Sequence, residues 1–273
     1  MGNRALYTLA VVSLCSGAQA QVSPLPNAHS HNDHIHERPL LDALDLGFMS
    51  VEADVYLVDG VLLVAHDLAQ SSSERTLQSL YLDPLFQRFL AHKGRIYDAS
   101  GEFTLLIDIK SGEGPTYQAL RALLVSYAKR PNGQGFLTRT VRGVTEPGAV
   151  TTIVSGGVVA ADVEAEWERY VGIDGRSTDL DSTRPASVMP LISERWGQLF
   201  TWDGRGAMPA AERAKLKAFV DAAHLKGRRV RFWATPERPA VWQELLGAGV
   251  DLINTDDLAR LAAFLRARPL PVP

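Results

Sequence analysis

Short apolar runs of strand character recur along the whole chain, and amphipathic, helix-like stretches lie between several of them. After a first run near Leu25–Ala28 come Ser50–Leu57, Phe103–Lys110, Ala149–Ser155, Tyr170–Asp174, Met189–Ser193, Arg229–Trp233 and Asp251–Asn254. A helix between two strands carries the chain back to the end where it started, so this order predicts a parallel sheet. Eight strands predict an α/β fold of the closed (β/α)8 TIM-barrel type, in a single domain over residues 21–273, and a chain of 273 residues suits that size. An open doubly wound sheet is the alternative, but no glycine-rich loop of the dinucleotide kind follows the first strand. The clearest helix spans Ala210 to Lys226, with Leu216, Phe219, Val220 and Ala223 on one face and Gly227 as its stop.

The first twenty residues differ from the rest. Arg4 is their only charge, Ala5–Leu14 is uncharged, and Ala18-Gln19-Ala20 has the small-x-small pattern of a cleavage site, so Met1–Ala20 reads as a signal peptide. Ser13, Ser16, Gly17 and Gln19 interrupt it too early for a membrane span. The expectation is therefore a secreted or periplasmic protein with no stable membrane span. Cys15, the one cysteine, falls inside this leader, which leaves no thiol for disulfides, zinc or nucleophilic catalysis. Lys and Arg number 28 against 31 Asp and Glu, a net charge of −3. That balance excludes a bulk electrostatic grip on nucleic acid.

The chemistry concentrates between Asn27 and Asp67. Along Ser50–Leu57 the period of two puts Val51, Ala53, Val55 and Leu57 on one face and Glu52, Asp54 and Tyr56 on the other. Two carboxylates on one buried face repel unless a cation or proton intervenes, and a hard divalent ion, Mg²⁺ or Ca²⁺, answers this with oxygen ligands. Solvent exposure on an edge strand is the alternative. Asp108 and Lys110 share a face at the C-terminal end of another run, where barrels place their ligands. They read either as a metal ligand beside a phosphate-facing lysine or as a buried ion pair. His29, His31, His34 and His36 crowd just behind the first strand, and His66 ends the run Leu62–Ala65. His29 and His66 stand where strands meet their loops and suit a general base and general acid. His92 and His224 read as structural.

Ala28-His29, the helix ending at Gly47, Val51-Glu52-Ala53-Asp54-Val55, Asp59-Gly60, Val64-Ala65-His66-Asp67, Ile107-Asp108-Ile109-Lys110 and Gly249–Asp256 together resemble the ordered signature of the glycerophosphodiester phosphodiesterase family. This family belongs to the phosphatidylinositol-phospholipase-C-like superfamily of barrels. Asp-Ile-Lys, in place of the family's Glu-x-Lys, is similar to the sphingomyelinase D branch. The resemblance implies paired acid–base roles for His29 and His66, and one Mg²⁺ or Ca²⁺ held by Glu52, Asp54 and Asp108. It also implies that Lys110 and Trp233 face the phosphate and substrate. His29-Ser30-His31 stands where the family has His-Arg-Gly, and the usual Pro-Glu-Asn-Thr is absent. His31 therefore stays open as the base and otherwise as a substrate-side residue.

These readings imply an exported, metal-dependent phosphodiesterase acting on a glycerophosphodiester or phospholipid-type diester. A binuclear hydrolase of the amidohydrolase or histidinol-phosphatase type, built on His29-x-His31, is one rival, although the later strands lack histidines. A catalytically silent ligand-binding barrel is another. Trp233, with Trp202 as a weaker companion, is the expected specificity determinant. A strict two-residue turn at Asp59-Gly60 would pair His66 with Ala53, away from Glu52, so His66 must leave its strand ladder to join the site.

Overall fold

The computed structural model describes residues 22–158 and 160–268. The leader assigned to Met1–Ala20 lies outside them. The strands are β1 Leu25–Ser30, β2 Phe48–Val58, β3 Val61–Val64, β4 Phe103–Ile109, β5 Arg139–Val141, β6 Val144–Glu146, β7 Val150–Gly156, β8 Glu168–Arg169, β9 Val171–Gly175, β10 Leu191–Arg195, β11 Arg229–Trp233 and β12 Leu252–Thr255. The helices are α1 Leu41–Asp45, α2 Asp83–Ala91, α3 Glu113–Ala128, α4 Ala160–Glu164, α5 Trp196–Leu199, α6 Ala210–Leu225, α7 Pro239–Ala248 and α8 Leu258–Arg266.

The expected strand runs, including the first, correspond within two residues to β1, β2, β4, β7, β9, β10, β11 and β12. These pair in parallel in the order β1-β12-β11-β10-β9-β7-β4-β2, and a β1–β2 pairing closes the ring. The fold is an eight-stranded parallel barrel. β3 folds back antiparallel on β2 through the turn Asp59-Gly60, whose φ angles of 48° and 81° are those of a tight hairpin. Short strands β5, β6 and β8 form a separate antiparallel sheet. The helical ring is thin beside β9, where five-residue α4 and a single 3₁₀ turn, Ser177–Asp179, replace full helices.

Alternation along each strand divides the apolar residues into two cores. Val51, Ala53, Val55, Leu105, Ile107, Val154, Val230 and Phe232 point outward to the helices. Leu106, Ile153, Leu191 and Leu252 form a separate buried cluster inside the barrel. This apolar layer is the floor beneath the polar residues at the C-terminal strand ends. Helix α6 buries Leu216, Phe219, Val220 and Ala223, as its spacing predicts. Gly227 ends it with φ of 70°, a left-handed conformation that glycine adopts without strain.

Candidate active site

Glu52 and Asp54 point into the barrel from β2, and Asp54 lies level with Asp108 of β4 and Ser155 of β7. Carboxylate oxygens of Glu52, Asp54 and Asp108 fall within 4.8 Å of one another. Ser155 Oγ donates to Asp108 Oδ1 at 2.9 Å. Gly156 makes room for this carboxylate, since a Cβ at that position would collide with Asp108 Oδ1.

Two cations partly balance the three carboxylates. Lys110 donates to Asp108 and lies 3.3 Å from Asp54 Oδ2. Burial opposes its charge, but these contacts raise its pKa above the ordinary lysine value. Arg231, reaching across from β11, donates from Nη1 to Glu52 Oε2 at 2.5 Å and to His29 Nε2 at 2.8 Å. Burial alone would raise the Glu52 pKa, yet the Arg231 charge holds it well below the carboxylate range. Asp54 has less help. Burial pushes its pKa up to about 6 against the pull of Lys110, and its buried Oδ1 has no partner. A buried carboxylate oxygen left open within a convergent set of oxygen donors fits a hard divalent cation.

His29 is fully buried at the end of β1, its Nδ1 2.7 Å from Ser50 Oγ and its Nε2 3.4 Å from Glu52 Oε2. Burial lowers its pKa to about 4, so the ring is neutral at pH 7. His66 reaches the site as the register requires. The β2–β3 ladder runs to Val55–Val64, after which the chain leaves the strand and brings His66 Nδ1 within 3.0 Å of Asp54 Oδ2. Tyr56 Oη donates to the His66 carbonyl at 3.0 Å and fixes the departing backbone. His29 and His66 thus stand on different carboxylates of one cluster.

His31 turns elsewhere, with Nδ1 2.8 Å from Asp256 Oδ1. His29 and His31 do not converge. Among the described residues, the side-chain groups able to hold a metal are Glu52–Asp54–Asp108 and His34–Asp54–His66, which corrects the His-x-His binuclear reading. Trp233 is half-buried on the inward face at the end of β11, with the Arg195 guanidinium 5.7 Å from its ring centroid. Trp202 is buried, with its indole N–H donating to the Arg205 carbonyl at 3.0 Å. His92 and His224 pair with Asp98 and Asp251, each at 2.8 Å.

Sequence reasoning missed Arg231 and assigned no role to His34. The alternation of Arg229, Arg231 and Trp233 on one face of a strand, with Val230 and Phe232 on the other, was the available signal for Arg231. Nothing local marked its partner, 179 residues away.

Residues 17–171 match the AIM6-like phosphodiesterase domain, and residues 229–259 match the glycerophosphoryl diester phosphodiesterase family. The Altered inheritance of mitochondria protein 6 homolog of Arthroderma benhamiae is 30% identical over 271 residues, covering 87% of this chain and 82% of that protein. The chain belongs to the AIM6-like phosphodiesterase family, within the glycerophosphodiester phosphodiesterases. Altered inheritance of mitochondria protein 6 of Saccharomyces cerevisiae is another relative of this AIM6-like chain, 29% identical over 300 residues and covering 94% and 75% of the two chains. A glycerophosphodiester phosphodiesterase from Parabacteroides distasonis superposes with a TM-score of 0.51 at 16% identity, covering 89% of this chain and 98% of that one. The enzyme from Agrobacterium tumefaciens gives 0.50 at 17%, covering 89% and 100%. At such identities the likeness is one of fold. The AIM6 relatives also correct the expectation of a secreted or periplasmic protein, since they are named for the inheritance of mitochondria and not for export. Among the described residues, no helix is long and apolar enough to cross a membrane.

Proposed function

We propose that this AIM6-like chain is a metal-dependent phosphodiesterase that cleaves a glycerophosphodiester or phospholipid-type diester with His29 and His66 as its acid–base pair. The observation that carries the reading is the convergence of Glu52, Asp54 and Asp108 above the apolar barrel floor, with a histidine on each side. These three carboxylates would hold one Mg²⁺ or Ca²⁺, which when bound supplies Lewis-acid polarisation of a phosphoryl oxygen.

The remaining work falls to the chain's own groups. Neutral His29 accepts the proton of the attacking hydroxyl, either water or a neighbouring hydroxyl of the substrate. His66 donates Nδ1–H to Asp54, and in its imidazolium form it also carries the Nε2–H that is delivered to the leaving oxygen, returning to the neutral Nδ1–H ring. Lys110 faces the phosphate, and Arg231 keeps Glu52 ionised. Trp233 stands on the substrate side, where the indole face suits a cationic or apolar head group, whereas His31 is held on Asp256. The partner is thus a small or lipid phosphodiester.

The test is turnover of a phosphodiester panel by the purified full-length protein, before and after chelation and after return of Mg²⁺ or Ca²⁺. Activity should vanish on chelation, return with one ion per chain, and be absent in a folded Asp108→Ala variant. Full turnover by that variant after exhaustive chelation would overturn the metal role. Tight binding of a diester without turnover would make the chain a ligand-binding barrel.

A further inference from the structure

His34 has no part in that chemistry, yet it is built into the site. It lies in the 3₁₀ turn Asp33–Ile35, whose backbone is clamped on both sides. Ser30 Oγ donates to Asp33 Oδ1 at 2.6 Å, the Leu40 N–H to Asp33 Oδ2 at 2.5 Å, and Arg75 Nη2 to the His34 carbonyl at 2.5 Å. The side chain these bonds position is 5% exposed, and neither ring nitrogen has a hydrogen-bond partner. Burying an imidazole with both nitrogens unmatched is costly, and a water or an ion is among the partners that relieve it.

The neighbours define that ligand. The His34 ring is parallel to His66, with centroids 6.4 Å apart. One nitrogen of each and a carboxylate oxygen of Asp54 lie within 4.8 Å of one another. Asp54 Oδ1 is itself buried and unpartnered. Two imidazoles and one carboxylate suit a borderline transition ion, whereas Mg²⁺ and Ca²⁺ prefer all-oxygen sets. His66, with a side chain 56% exposed, leaves the set reachable from solvent.

We propose that His34, Asp54 and His66 form an inhibitory site for a transition ion of the Zn²⁺ class. The inhibitory part rests on the reading of His66 as proton donor and Asp54 as ligand of the hard cation. An ion held here occupies a nitrogen of His66 and competes with the hard cation for Asp54, so it disturbs the proton donor and the hard-cation set at once. His34 is the one ligand that belongs to this site alone.

Chelator-stripped full-length protein is titrated with Zn²⁺, and separately with Co²⁺ read by its visible absorption. Mg²⁺-supported turnover is then measured against free Zn²⁺. Wild type should bind one Zn²⁺ tightly, lose turnover on binding it, and regain turnover as Mg²⁺ is raised. His34→Ala, with His34→Gln in reserve should the first not fold, should keep near-normal turnover. Its Zn²⁺ affinity and inhibition should weaken together by more than about 100-fold, since even losing a group that only orients a ligand costs roughly 10–100-fold. Zinc-edge absorption on wild type should count two histidine ligands, and fewer would overturn the site. Equal Zn²⁺ affinity in wild type and variant would also overturn it, and Zn²⁺ binding that leaves turnover intact would overturn its inhibitory role. Because metal binding is read without substrate, absence of phosphodiesterase activity would refute the proposed function while leaving the site decided.

Discussion

Arg231→Met would leave Glu52 as a carboxylate without its counter-charge inside the barrel. Both side chains are nearly inaccessible, at 4% and 6% exposure, and Arg231 Nη1 lies 2.5 Å from Glu52 Oε2. Removing one partner of a buried pair costs about 3–5 kcal/mol, because the remaining charge keeps its desolvation penalty and loses its compensation. For a chain of this size each kcal/mol moves Tm by about 2–4 °C, so the expected loss is roughly 6–20 °C. Glu52→Gln on the same background removes the stranded charge, and the double variant should recover most of the deficit. Urea unfolding followed by circular dichroism, at pH 7 in chelator, measures all four corners of the cycle. The loss should shrink in acid, where Glu52 takes up a proton, and added Mg²⁺ or Ca²⁺ should stabilise Arg231→Met more than wild type. An Arg231→Met variant within about 1 kcal/mol of wild type, far below the cost of a broken buried pair, would refute the reasoning, as would a double variant no more stable than the single.

Either His29→Ala or His66→Ala should lower kcat by about 100-fold or more, with the double variant little worse than the weaker single; single-turnover kinetics on the best substrate checks this. Asp54, raised from 3.8 to about 6, favours its protonated form when folded, so its contribution to metal-free stability is lost as pH rises from about 4 to about 6. His29, lowered from 6.5 to about 4, acts with opposite sign, and its contribution is lost as pH falls through that interval. Urea midpoints from pH 4 to 7 should lose the first slope in Asp54→Asn and the second in His29→Asn. Trp233→Leu should leave Tm within a few degrees and change relative kcat/KM among head groups; an equal loss on every substrate with a large fall in Tm would assign the indole to packing.

The strands were legible because their signal is local. A period of two assigns each residue to one face whatever the partner strand is, so the shared face of Glu52 and Asp54 and that of Asp108 and Lys110 followed from the chain alone, whereas the choice of the barrel interior for Glu52, Asp54 and Asp108 did not. The small sheet of β5, β6 and β8 was not legible, since its strands have three residues or fewer and β6 is exposed throughout.

The pattern of faces, the hairpin turn and the ends of the helices are properties of neighbours in sequence, and they were readable before any fold was known. Barrel closure decided the rest. It set β1 against β2 and β12, turned His29 inward and sent His31 to Asp256. It carried Arg231 to Glu52 and enclosed His34 beside Asp54 and His66. These contacts depend on register and curvature summed around the ring, so the electrostatics of the site, and with them the protonation of each histidine and carboxylate, exist only once the first and last strands meet.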